Sequence, residues 1–137
     1  MIQAQSDLLL WHGVFVFLLG LLSGFVIPFA ANPRMGLSAH LVAAIAGCFL
    51  ILTGLLWPRL QLSQTQMVWT YGLLLYGTYS NFGVTFLAAL WGTRSLTSVH
   101  GGSGGKAWQE LLVRWGFISV VVTTTATFLL LLYGLRL

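Results

Sequence analysis

The chain has 137 residues and a net charge of +4; 58% of its residues are hydrophobic and only 6% are charged. A soluble domain carries about 25% charged residues, so this composition excludes a water-facing globular surface and indicates an integral membrane protein of one domain, with mean hydropathy +0.91. The six basic residues are scattered and offer no surface to nucleic acid, while the lone Cys48 excludes an internal disulfide and any cysteine-built zinc site.

A hydrocarbon core of about 30 Å takes about 20 helical residues to cross. Four apolar stretches are long enough, predicting helices at roughly 8–31, 37–57, 66–91 and 107–135. The apolar runs are continuous, with no period-2 alternation, which excludes a barrel. Short separators force neighbouring helices to run antiparallel. The expected fold is therefore all-α, a four-transmembrane-helix up-down bundle, with Pro33 and Pro58 stopping the helices before them.

The first stretch has no basic residue ahead of it and no small-residue cleavage site, so it is expected to stay in the mature protein. It carries His12 beside Trp11, where an interfacial anchor and a functional group are both open readings. It also carries Gly20 and Gly24, a GxxxG that lets another helix approach closely.

The second stretch holds the most informative residue, His40. An ionisable ring inside a bilayer is costly, so it is a functional-site hypothesis by default. Ala43, Ala44 and Gly47, one to two turns further in, are all small. A ligand with small neighbours leaves room for a flat, bulky group. With no second ligand near it, His40 suggests a metal-bearing macrocycle more readily than a bare ion. His12 and His40 lie on antiparallel helices and approach opposite faces, which argues against both binding one metal. Four short helices enclose little volume, so a large ligand is expected between copies, with the Ala39, Ala43, Gly47 ladder as a contact surface.

The third stretch is the most polar, with Tyr71, Tyr76, Thr78, Tyr79, Ser80, Asn81 and Thr85. Thr78, Asn81 and Thr85 share one face by spacing. Interhelical hydrogen bonding and a polar wall for a small substrate both explain Tyr79 and Asn81. After it, Gly101 to Lys106 reads as a flexible loop, because a phosphate loop would need an earlier glycine and a Ser or Thr after the lysine. His100 is expected in water. In the fourth stretch Glu110 and Arg114 have the spacing of a structural ion pair, and Thr123, Thr124, Thr125 and Thr127 can return their hydroxyls to the backbone.

Several phrases together resemble the hydroxylaminobenzene mutases. They are Trp11-His12-Gly13-Val14, Leu18 to Phe25, Asn32-Pro33-Arg34-Met35-Gly36-Leu37-Ser38-Ala39-His40-Leu41, Gly54 to Pro58, Tyr76-Gly77-Thr78-Tyr79-Ser80-Asn81, and Ala107 to Glu110. The chain is similar, more distantly, to styrene oxide isomerase, a four-helix membrane enzyme that forms trimers with haem b between subunits. The resemblance implies an isomerase, an intramolecular hydroxyl-transferring mutase, that converts an aryl hydroxylamine to an aminophenol with haem iron as Lewis acid. It implies His40 as the iron ligand, with Ala43, Ala44 and Gly47 beside the haem. Tyr79 and Asn81 would support the polar end of a small aromatic substrate. It also implies a homotrimer in a bacterial-type inner (cytoplasmic) membrane. The mutase pattern has an acidic residue two positions after the histidine and an asparagine six after it; this chain has Val42 and Ala46. A non-catalytic membrane subunit packing against a partner is the alternative.

Overall fold

The computed structural model describes residues 1–136. It contains four long helices, α1 (Ile2–Gly24), α2 (Pro33–Leu56), α3 (Gln64–Trp91) and α4 (Ala107–Gly134), each long and apolar enough to cross a membrane. No strand occurs among the described residues. The expected all-α membrane fold is what the chain adopts.

The first two helix boundaries differ from the expected ones, for identifiable reasons. α1 starts at Ile2 because its polar first turns are helix-compatible: Gln3 donates to Asp7 one turn on at 2.9 Å, and Ser6 Oγ donates to the Gly54 carbonyl at 2.7 Å. It stops at Gly24, and a 3-10 turn over Ile27–Phe29 follows, with Pro28 unable to donate a helical hydrogen bond. Pro33 does not end a helix; it opens α2. Asn32 caps that helix through Oδ1, which accepts from the Met35 N–H at 3.2 Å, and proline at the first helical position loses no bond. α3 begins with a Ser63–Gln66 capping box and ends at Gly92, whose φ of 65° is the left-handed turn that glycine permits.

The helices associate in chain order, α1 on α2, α2 on α3 and α3 on α4, while α1 and α4 form no comparable interface. The α1–α2 contact is made almost backbone to backbone. A Cβ on Gly47 would stand 2.7 Å from the Gly13 carbonyl oxygen, and one on Gly20 would stand 3.0 Å from Ala43 Cβ. Glycine is needed at both. Leu9, Val16, Leu50, Trp57, Met67 and Leu74 form the main core, and Met35, Val84, Ala88, Ala89 and Val113 a second one toward the other membrane face. Large apolar side chains such as Val14, Ile45, Trp115 and Leu132 cover the outside, as a lipid-facing surface requires.

Two polar expectations are corrected. Glu110 does not pair with Arg114. Its carboxylate accepts the backbone N–H groups of Arg94 (3.0 Å), Ser95 (2.7 Å) and Gly105 (2.8 Å), tying down both ends of the α3–α4 loop. Arg114 instead donates from Nε to Ser95 Oγ at 3.1 Å. A carboxylate has acceptor capacity for several N–H groups, and the loop backbone supplies them. His100 is half-buried rather than solvated, with Nδ1 sealed from water and without a partner.

Candidate functional site

His40 lies two turns inside α2, on the side facing α1. Its Nδ1–H donates to the Gly20 carbonyl at 2.7 Å, and its ring passes over Gly24, where a Cβ would be 3.3 Å from Nδ1. The carbonyl can only accept, so a neutral ring keeps its lone pair on Nε2. Histidine ligands are oriented in this way, by a hydrogen bond from the nitrogen that does not bind the metal. The Gly20/Gly24 pair, expected to serve helix packing, also seats this ring.

The small neighbours of His40 have other work. Ala39 and Ala43 are fully buried, and Gly47 is buried, with Ala43 and Gly47 packed against α1 in the same chain. That ladder therefore presents no free surface to another copy, and Ala43 and Gly47 present none to a bound group. Ala44 is half-buried. The close contact of α1 and α2 leaves no room for a large flat ligand between them at His40. Among the described residues, no group of three or more His, Cys, Asp or Glu side chains stands close enough to hold a bare metal ion.

Tyr79 and Asn81 point in different directions. They are two residues apart, about 200° around a helix. The Tyr79 hydroxyl and His12 Nδ1 share a hydrogen bond of 2.8 Å, which links α3 to α1. His12 also meets Trp11 and Tyr79 edge to face, with ring centroids 5.2 and 5.7 Å away. Asn81 faces the other way, into a cavity of about 300 Å³ between α2 and α4 with α3 as its floor.

That cavity is apolar along α2, at Val42, Ile45, Ala46 and Phe49. Its polar groups come from α3 and α4: Thr78, Asn81, Thr124 and Thr127. Thr124 and Thr127 bond back to the Val120 and Thr123 carbonyls at 2.6 and 2.8 Å, so their lone pairs rather than their protons remain available. Sequence reasoning gave these threonines the backbone role alone. Their spacing of three, opposite Gly77 of α3, was the available signal that they share a face. Val42 and Ala46, where the mutase pattern is polar, line this same cavity.

The cavity and His40 occupy opposite sides of α2. Val42, Ala46 and Phe49 are two, six and nine residues beyond His40, which at about 100° per residue puts them across the helix from it. One chain cannot turn both toward the same small molecule.

The sequence pattern of styrene oxide isomerase matches residues 5–136. The chain belongs to the styrene oxide isomerase family. It is also 43% identical over 130 residues to hydroxylaminobenzene mutase HabB of Ectopseudomonas oleovorans, covering 93% of this chain and 79% of that one. Its identity to hydroxylaminobenzene mutase HabA of the same organism is 38% over 125 residues, covering 90% and 93% of the two chains. No solved structure matches this chain. The family and these relatives make it an isomerase of the membrane.

Proposed function

We propose that this isomerase rearranges an aryl hydroxylamine to an aminophenol inside the bilayer of a bacterial-type inner membrane, with haem b held at His40 and three copies forming the working unit. The observation that carries the reading is the tether on His40: Nδ1–H is fixed to the Gly20 carbonyl and Nε2 is left as a donor of its lone pair. His40 suits a haem iron for that reason, and its half-buried ring stands on a side where a second copy can cover a flat group. Held there, the haem would supply Lewis acidity toward a hydroxylamine oxygen.

The remaining work belongs to the chain. The cavity beside Asn81 takes the aryl ring against Val42, Ala46 and Phe49, and its apolar wall excludes water. The Asn81 carboxamide both donates and accepts, so it can hold an N–H and an oxygen of the substrate's polar end. Because the cavity lies across α2 from His40, the cavity of one copy would serve the His40 of the next, which supports an oligomer. The reaction is an isomerisation: an N–O bond breaks, a ring C–O bond forms, and a ring proton ends on nitrogen. No reductant or oxidant is consumed.

The test is aminophenol formation from phenylhydroxylamine by haem-loaded, detergent-purified protein in the ferric state, without added reductant, against free haem. A rate above the free-haem control is expected, together with inhibition by iron-binding ligands. No rate above that control overturns the reading. Asn81→Ala should keep its haem and lose about tenfold in turnover, the loss of roughly one hydrogen bond at a polar end.

A further inference from the structure

We infer that the stacked pair Phe49–Phe128 is the end wall of the substrate cavity and sets the length of the aryl group that this enzyme accepts; the inference rests on the reading of that cavity as the aryl site. The two rings lie 4.9 Å apart at an interplanar angle of 28°, one from α2 and one from α4, and so bridge the groove between those helices. On one side of the pair is the cavity of about 300 Å³ that contains Asn81. On the other is a second cavity of about 230 Å³, lined by the same two phenylalanines and by Leu56, Leu60, Leu131 and Leu135. Both cavities lie between α2 and α4 and share these two rings as lining.

The two compartments differ in chemistry. The first has an amide and three threonines; the second is walled almost wholly by leucine and phenylalanine, with Thr53 returning its hydroxyl to the Phe49 carbonyl at 2.8 Å. An occupant with one small polar head and one flat apolar ring fits this gradient, head at Asn81 and ring against Phe49 and Phe128. An acyl chain would have no use for the polar end. The distance from the level of Asn81 to that of Leu74, beside the pair, is seven residues or about 10 Å of helix. A single ring with its head group fits that length, and a biphenyl does not. The second cavity is then an extension that becomes usable when the wall is cut back.

Phe128 is half exposed, so truncating it disturbs the core less than truncating Phe49, which packs against the main core cluster. In Phe128→Ala, the ratio of kcat/KM for 4-biphenylhydroxylamine to that for phenylhydroxylamine should rise about tenfold or more, the usual scale for reshaping an apolar pocket. Phe128→Leu, which keeps most of the packing volume, should raise the same ratio by less. A general loss of folding would lower both rates and leave the ratio unchanged.

A binding arm reads the wall without turnover. Haem-loaded protein is irradiated with phenyl azide or with 4-azidobiphenyl, and the labelled residues are mapped by mass spectrometry. Phenyl azide should label residues 77–85 in every variant. 4-Azidobiphenyl should label them in Phe128→Ala and not in the unaltered protein. If 4-azidobiphenyl reaches residues 77–85 equally in both, or the kcat/KM ratio does not move in active variants, the inference is overturned. If labelling follows expectation but no variant makes aminophenol, the wall stands and the proposed reaction falls.

Discussion

The α1–α2 pair and the α3–α4 pair are built on different terms. In the first, glycines at 13, 20 and 47 bring two backbones together, and the polar groups of Ser6 and His40 are satisfied by carbonyls across the contact. In the second, α4 leans on α3 at Gly77 and Gly116 and otherwise stands off from α2, leaving a groove. A ligating imidazole needs a fixed orientation, which close backbone packing supplies. A substrate needs volume and a path from the lipid, which loose packing supplies. Rigidity and room are kept on opposite faces of α2.

The most damaging way to break this contrast is at the proposed ligand, His40. His40→Ala should lose bound haem essentially completely in mild detergent, read as loss of the Soret band, while the protein remains folded by circular dichroism. Retention of the unaltered spectrum would move the ligand elsewhere.

Next in size is damage to the tight pair. Gly47→Leu forces a side chain into the Gly13 and Phe17 backbone, where even a Cβ would be 2.7 Å away. Overpacking of this kind costs about 1–3 kcal/mol or more. Thermal denaturation should show a clear loss of stability, and haem content should fall with it. Gly83→Leu, on α3 where a Cβ would meet nothing within 4 Å, should be tolerated and provides the matched control. Equal loss in both would remove the distinction between the pairs.

The smallest effect sharpens the comparison. Tyr79→Phe removes one hydrogen bond, to His12, on the side of α3 away from the cavity. Such bonds average about 0.6 kcal/mol in membrane proteins. Haem content and turnover should stay within about twofold of the unaltered protein, a change of less than about 0.5 kcal/mol in barrier. A tenfold loss of turnover would show that Tyr79 reaches the substrate after all.

Much of this was legible in the residues. Continuous apolar runs gave four spanning helices, because the length a bilayer demands leaves few alternatives. His40 could be singled out because an imidazole in a membrane needs a reason. Its tether could not, since the Gly20 carbonyl is 20 positions away and helix rotation is not written in local spacing. The same ignorance of rotation assigned Ala43 and Gly47 to a ligand when they serve α1, and paired Tyr79 with Asn81 when they face opposite ways. Pro33 was misjudged because a proline between two apolar runs can end one helix or begin the next; Asn32 ahead of it was the deciding cue. The reading of a non-catalytic subunit gave way to the identity with named mutases, which residue logic alone could not provide.

The loop anchored by Glu110 bears on how the chain enters its membrane. With the loop held by that carboxylate, Arg114 donates to Ser95 Oγ and so joins Arg34, Arg94 and Lys106 at one membrane face, against Arg59 and Arg136 at the other. Four cationic side chains stand against two. Insertion machinery retains lysine and arginine on the ribosome side and gives acidic residues little weight. Biogenesis should therefore hold both loops flanked by α1–α2 and α3–α4 on the side of synthesis and export the two chain ends.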